Sequence, residues 1–302
     1  MGRRLAQFSS SELTRNWVKE IPTTGYCVYL ACRGDYVYVQ GTSEETVQKR
    51  NRINGELVWQ KSFNIEAPAE YNDVNIRVDN SYNIYTTKNG HLYKYNDDGN
   101  LLWDANVETP GTYPLQIFCL SQDGTRIMLR GVDGKKIYTY KTADGTKDVE
   151  FTPTIQNENL IMTYSGKLDS TKNIILYVYG SYGSDSRFYM QKWDSTGTTL
   201  QWQVILSNQN LYDTLEVDID DNVWIVVQGV IRKYAKNTGN VLAQSSQTDC
   251  YGFLKALSNG DIVEVLQSSS TLRIRRFNTN AVLQTTQTYS NVSWLYRVDV
   301  VV

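Results

Sequence analysis

Polar and apolar positions along the chain alternate in short runs, and each run ends in a cluster of Asn, Asp, Ser, Thr and Gly. After the turn at Gly99, Leu101, Trp103, Ala105 and Val107 fall on one face; after Gly197, Leu200, Trp202, Val204 and Leu206 do the same. Period two over such a run predicts a strand, and no apolar pattern of helical period lasts beyond a few residues. In "NDDG", Asn and Asp hydrogen-bond the local backbone and Gly supplies a positive φ, so the stretch predicts a hairpin turn.

The phrase recurs. Aligned on the turn residue, "RNRINGELVW" ends at Trp59, "KYNDDGNLLW" at Trp103, "YKTADGTKDV" at Val149, "KWDSTGTTLQW" at Trp202, "KYAKNTGNVLA" at Ala243 and "RFNTNAVLQT" at Thr285. The turn positions are Gly55, Gly99, Gly145, Gly197, Gly239 and Ala281, separated by 44, 46, 52, 42 and 42 residues. At Ala281 the pattern departs from glycine, and the left-handed residue there is expected at Asn280. Between these hairpins lies a second unit of strand, polar turn and strand, as in "VNIRVDNSYNIYTT" and "LEVDIDDNVWIVVQG". Joined, the two units give four short antiparallel strands per repeat, the period of a propeller blade. A single such sheet is apolar on both faces, and stacking successive sheets around an axis hides both.

The sequence therefore predicts an all-β protein, a β-propeller of four-stranded antiparallel blades forming a single domain over residues 1–302. Six complete units account for about residues 26–288. "LTRNWVKEI" reads as an outermost strand, with Trp17 lying 42 residues before Trp59, and "VSWLYRVDVVV" as an innermost one. Together they predict a partial seventh blade; the alternative is a closed six-bladed ring. A partial blade leaves a sheet edge that recruits another chain.

The phrases resemble bacterial propeller repeats of the quinoprotein-like and NHL-like kinds, in which a strand ending in an aromatic leads through a "D-x-x-G" turn to a "G-x-x-x-W" strand. The resemblance covers roughly residues 12–300 at the level of the repeat. It implies tryptophans docked between neighbouring blades, at Trp59, Trp103 and Trp202. It carries over no activity, because fold does not imply function.

Composition narrows the partners. The net charge of −2 gives no general attraction to nucleic acid or anionic membranes. No stretch approaches the length of a membrane span, and the N-terminus lacks the apolar core of a signal peptide, so virion or cytoplasm is the expected location. Cys27, Cys32, Cys119 and Cys250 lack metal-ligand spacing and read as reduced thiols. The single histidine, His91, excludes multi-histidine metal sites and reads as a half-exposed strand residue. No cofactor or metal is expected. "DIDDN" places Asp218, Asp220 and Asn222 at the first, third and fifth positions of a calcium-loop pattern, but Val223 and Gly229 break it; "DNSYN" (Asp79, Ser81, Asn83) repeats the spacing, which points to a capped turn.

Tyr26, Tyr71, Tyr113, Tyr212 and Tyr251 each stand just before an innermost strand, on one mouth of the channel, with Tyr289 and Trp294 bracketing the same place in the last unit. Inter-blade packing is the first reading; an aromatic rim that binds a sugar or a protein is the sharper one. "RIRRF" (Arg273, Arg275, Arg276) reads as a solvated face or an inter-blade ion pair. The fourth unit carries the longest insertions, in "SGKLDSTKN" and "GSYGSDSRF", and these are expected to lengthen loops.

Two functions follow. The first is a non-catalytic protein-binding or structural scaffold, with other protein chains or further copies of itself as partners. Its Asn-, Thr-, Ser-, Gln- and Tyr-rich composition suits a bacteriophage virion component, such as a tail or receptor-facing protein. The second is a carbohydrate-active lyase or hydrolase at the channel mouth, which requires a pocket holding two carboxylates about 5–9 Å apart.

Overall fold

A computed structural model describes residues 2–8, 15–22, 28–41, 45–65, 76–156, 158–182, 185–207, 215–268 and 270–290. All regular structure in it is strand, and no helix among the described residues is long and apolar enough to cross a membrane. Six four-stranded antiparallel sheets follow one another in chain order as the blades of a propeller. Blade 1 comprises Val28–Arg33, Tyr36–Gly41, Thr46–Asn51 and Leu57–Ser62. Blade 2 comprises Ile76–Val78, Ile84–Lys88, His91–Tyr95 and Leu101–Asn106. Gln116–Leu120, Arg126–Arg130, Ile137–Lys141 and Lys147–Phe151 make blade 3; Asn159–Leu168, Ile174–Tyr182, Asp185–Trp193 and Leu200–Ser207 make blade 4. Blade 5 is Glu216–Val217, Val223–Val227, Val230–Tyr234 and Val241–Gln244, and blade 6 is Phe253–Ala256, Ile262–Ser268, Thr271–Phe277 and Leu283–Tyr289. Each blade runs from an innermost first strand to an outermost fourth. The turns joining strands one to two and three to four lie on one face of the disk, here the lower; the remaining connections lie on the upper.

Burial on both sheet faces holds the disk together. On the second strand of blade 4, Ile174, Leu176 and Val178 meet Phe118, Met128 and Ile137 of blade 3, while Ile175 and Tyr177 meet Val223 and Ile225 of blade 5. Alternate residues of one strand thus serve opposite seams, as the pleat requires. Similar clusters join blades 1 and 2, 2 and 3, and 5 and 6. On the far side of blade 6, Leu257, Val263, Val265, Leu272 and Ile274 form a cluster whose described members all belong to that blade.

The glycine of the recurring phrase has a structural cause. Gly145 and Gly239 adopt φ of 73° and 68°, and a Cβ on either would stand 2.8 or 3.0 Å from Cε3 of Trp103 or Trp202 on the preceding blade. The indole Nε1 of Trp103 donates to Thr142 O at 3.2 Å, and that of Trp202 to Lys236 O at 3.0 Å. Phe151 takes the same place over Gly197. Trp59 packs against the cluster joining blades 1 and 2, as expected, but not over the turn: the atoms nearest Gly99 belong to Lys61 and Phe63, and Trp59 lies against Tyr38 and Phe63.

Three details differ from the sequence reading. In every blade a β-bulge interrupts the pairing of the third and fourth strands one residue before the docking position, at Val58, Leu102, Asp148, Gln201, Leu242 and Gln284. The bulge turns Leu101 outward together with Leu102, so alternation on the buried face starts only at Trp103. Ala281 itself carries the positive φ, 59°, rather than Asn280. The insertions of blade 4 lengthen its strands to 10, 9, 9 and 8 residues rather than its loops. Tyr164, Tyr177, Tyr179 and Phe188 form an aromatic cluster along the added length, Tyr177 stacked on Phe188 and Tyr164 edge-on to Tyr179.

At the N-terminus, Arg15–Pro22 pairs with Gly2–Phe8 in a separate two-stranded hairpin. The strand expected to close a seventh blade therefore has a partner next to it in sequence. The C-terminal run from Val292 lies outside the described residues.

Candidate functional site

The innermost strands of all six blades surround one cavity of about 580 Å³ along the propeller axis, and its lining reaches the strand one-to-two turns of the lower face at Gln122, Ser170, Asp221 and Ser258. The volume suits a small ligand or a short peptide segment.

The lower turns share one chemistry. Asp79, Asp169 and Asp218 each accept backbone N–H groups two and four residues on, at 2.8–3.0 Å. Their second oxygens are also taken. Asp79 Oδ2 accepts from Asn83 Nδ2 and the Tyr85 hydroxyl, Asp169 Oδ2 from Asn173 Nδ2 and Lys192 Nζ, and Asp218 Oδ2 from Trp224 Nε1 and Lys233 Nζ. A carboxylate whose lone pairs already face N–H and O–H donors is a turn cap, so the "DIDDN" spacing reflects Asx turns.

Three of these turns place a non-glycine residue at positive φ: Tyr82 (64°), Lys172 (66°) and Asp221 (66°). Left-handed backbone costs such residues about 1–2 kcal/mol. Each reaches the preceding blade's turn. The Tyr82 hydroxyl lies where a Cβ on Gly34 would stand, Lys172 Nζ bonds Asp123 at 3.0 Å, and Asp221 accepts from Ser170 N and Oγ at 2.8 and 2.6 Å. The local strain is offset by a belt of inter-blade latches around the lower mouth.

Buried lysines repeat the latch deeper in. Lys94 Nζ donates to Thr142 O at 2.7 Å, Lys192 to Lys236 O at 3.0 Å and Lys233 to Thr279 O at 3.3 Å, each across one seam. Lys49 reaches Asp97 of blade 2 at 2.5 Å. Burial lowers the Lys94 pKa, against the attraction of Asp79.

The carboxylates of the cavity can be checked one by one. Glu216 pairs with Lys167 Nζ at 2.9 Å, Asp218 is sequestered as described, and Asp221 caps Ser170. Each acid lining the described cavity is thus tied to a neighbour. Elsewhere, Glu108 and Glu150 both approach Lys136, at 3.2 and 3.7 Å, but neither lines the cavity.

Of the five tyrosines expected at a channel mouth, Tyr26, Tyr71 and Tyr212 lie outside the described residues, as does Trp294. Tyr113 lies over Gly134 of its own blade with Arg130 5.5 Å from its ring centroid; the Tyr251 hydroxyl lies over Gly229 of the preceding blade, and its residue is half exposed. Neither lines the cavity, which reaches the opposite face. The two therefore pack against different partners.

His91 is half-buried, with Nδ1 3.5 Å from Asp104 and its ring stacked on Tyr93. Cys32, Cys119 and Cys250 are free thiols, and burial pushes those of Cys119 and Cys250 up to about 11, which leaves them protonated at neutral pH. Cys27 lies outside the described residues. The "RIRRF" arginines are neutralised locally: Arg273 and Arg275 bond Asp249, Arg275 also bonds Glu264 at 2.7 Å, and Arg276 bonds Asp261. Sequence reasoning missed the cationic side chains lining the cavity, since Arg33, Arg77, Lys167 and Lys255 stand on four different blades with no shared motif.

No protein-family model matches the sequence, and no curated protein matches it. Solved structures do share its shape. Hsv2 of Kluyveromyces lactis superposes with a TM-score of 0.62 at 10 % identity, over 95 % of this chain and 93 % of that one. BamB from Moraxella catarrhalis gives a TM-score of 0.49 at 10 % identity, over 94 % and 88 %. At such identity the likeness concerns fold alone, and on that level the chain is a β-propeller repeat protein with six four-stranded blades.

Proposed function

We propose that the protein is a non-catalytic scaffold, a rigid disk that binds other protein chains through its faces. The carrying observation is the state of the cavity carboxylates: Glu216, Asp218 and Asp221 are each held by Lys167, by Lys233 with Trp224, or by Ser170. An acid–base pair must exchange protons with a substrate, and groups committed to fixed donors stabilise the ring instead. The inter-blade latches suit a platform that meets partners with little rearrangement. A narrower form, a component of a bacteriophage virion, rests on composition and the virion location expected from it.

The test is reconstitution. Proteins recovered with the chain from its native source are purified and mixed with it, and a complex of fixed stoichiometry by light scattering is expected. Co-sedimentation with particles supports the narrower form. Depolymerisation of a polysaccharide panel, abolished by Glu216→Gln, overturns the scaffold reading in favour of the carbohydrate-active one.

A further inference from the structure

The hairpin of Gly2–Phe8 and Arg15–Pro22 carries the backbone signature of the outer half of a blade. In each of the six blades the third strand meets the docking residue of the fourth, as Lys49 meets Trp59 and Lys192 meets Trp202. The next third-strand residue skips to the position two before it, Arg50 to Leu57 and Trp193 to Leu200. In the hairpin, Gln7 meets Trp17 and Phe8 meets Arg15, which places the same bulge at Asn16. The residue that skips is aromatic in five of the six blades (Tyr95, Tyr140, Trp193, Tyr234 and Phe277), and Phe8 stands there in the hairpin. A bulge fixes the bend of a particular strand pair, so the match makes Gly2–Phe8 and Arg15–Pro22 the equivalents of a third and a fourth strand. Arg15–Pro22 also precedes the innermost strand of blade 1, as each blade's outermost strand precedes the innermost strand of the next.

Room for such a blade lies between blades 6 and 1. Innermost strands of successive blades pack side by side at the five seams from blades 1 and 2 to blades 5 and 6, but among the described residues those of blades 6 and 1 do not. At the five seams each apolar cluster draws on both blades. Leu257, Val263, Val265, Leu272 and Ile274 of blade 6 share theirs with no described residue of blade 1. Tyr38 of blade 1 faces blade 2, so strand alternation turns Val37 and Val39 the other way; both are buried, and neither joins the blade 6 cluster. Two apolar faces, each buried and neither meeting the other, call for an element between them.

The run that follows blade 6 has the sequence for it. Arg297, Val298 and Asp299 repeat Arg77, Val78 and Asp79, which end the innermost strand of blade 2 and cap its turn. Asp299 follows Leu257, the corresponding turn residue of blade 6, by 42 residues, the separation of Gly197 and Gly239. We propose that residues 292–299 dock between blades 6 and 1 as the innermost strand of a seventh blade, whose third and fourth strands are Gly2–Phe8 and Arg15–Pro22. In that register Tyr296 and Val298 lie against Val263 and Val265 of blade 6, as Ile76 and Val78 of blade 2 lie against blade 1. Three of the four strands of the blade are thereby assigned. The proposal is independent of the scaffold reading.

Amide hydrogen exchange of the full chain in its native state, read by mass spectrometry, tests it. Residues 294–298 should exchange at least about a hundredfold more slowly than an unstructured peptide, in a protein that light scattering shows to be monomeric. Val298→Asp should lower the melting temperature by about 5 °C or more and speed exchange in Gly2–Phe8 as well. Val302→Asp, beyond the repeated turn residue, should shift it by less than about 1 °C. Val265→Ala, on the far face of blade 6, should speed exchange at 294–298 about tenfold, and Ile231→Ala, at the seam of blades 5 and 6, should leave it unchanged. The last two variants read the contact even if Val298→Asp does not fold. Exchange of 294–298 at the free-peptide rate, or protection that Val265→Ala leaves intact, overturns the proposal. So does protection confined to a dimer, in which a second copy supplies the strand.

Discussion

The seam between blades 4 and 5 and the seam between blades 5 and 6 solve one problem with different residues. At the first, Trp202 of blade 4 covers Gly239, and its indole and Lys192 both donate to Lys236 O at 3.0 Å. At the second, the docking position is Ala243, the turn residue is Ala281, and Lys233 alone reaches the corresponding carbonyl, Thr279 O, at 3.3 Å. Ala281 keeps a φ of 59° although it is not glycine. The difference teaches that two pressures act on the turn. A left-handed backbone favours glycine everywhere, but the absence of a Cβ becomes indispensable only where an aromatic ring lies on the turn. Where the ring shrinks to a methyl group, a methyl group returns beneath it.

The largest effect that would test this comparison is removal of the ring. Trp202 is 7 % exposed and lies in the cluster joining blades 4 and 5. Trp202→Ala should cost about 3–5 kcal/mol in urea unfolding. A loss below about 1 kcal/mol would mean that the docked ring contributes little.

Next comes the ion pair that holds the lysine of that seam. Lys192 Nζ bonds Asp169 at 2.8 Å, and both side chains are almost fully buried. Asp169→Asn should cost about 3 kcal/mol, because the ammonium stays buried without its counter-charge. Burial alone would raise the Asp169 pKa, but bonds from Lys192, Asn173 and Thr171 carry it below the usual carboxylate value. A depressed folded-state pKa gives stability that is present above the unfolded value, near pH 4, and lost as pH falls through the folded one. The wild-type protein should therefore lose stability below about pH 4, and Asp169→Asn should flatten that limb. Parallel acid limbs in the two proteins would contradict the assignment.

A smaller loss is expected from Gly239→Ala. The new methyl would meet Val204 Cγ2 at 2.9 Å and Trp202 Cε3 at 3.0 Å on a backbone of φ 68°. Strain and overlap together predict about 2–3 kcal/mol, read from the urea midpoint.

Much of this architecture was legible in the sequence because it repeats. Gly55, Gly99, Gly145, Gly197 and Gly239 mark the turn in five blades, and the alternating runs around them give the strands. The bulges were not legible: Leu101 stands two residues before Trp103 and reads as its neighbour on one face, and only the pairing partner on the third strand reveals the extra residue. Trp59 could not be distinguished from Trp103 by spacing, since the residues that displace it over Gly99 are Lys61 and Phe63, farther along its own strand and chain. The cavity wall escaped for a different reason. Arg33, Arg77, Lys167 and Lys255 lie far apart in the chain, each at a place where its neighbours differ, and the ring alone brings them together. Conversely, the recurring tyrosines attracted attention by their regular spacing, yet Tyr113 and Tyr251 face different partners.

The most direct test of the seam rule is to transplant it. Ala243→Trp alone should lower stability by about 1–3 kcal/mol through overpacking against the Ala281 turn. Ala281→Gly alone should change stability by less than about 1 kcal/mol, relief of the left-handed strain being offset by the lost methyl and a looser unfolded chain. Combined in one protein, the two should recover at least half of the loss caused by the tryptophan, a coupling of about 1 kcal/mol or more in the double-mutant cycle. Simple additivity of the two substitutions would contradict the claim that ring and turn are fitted to each other.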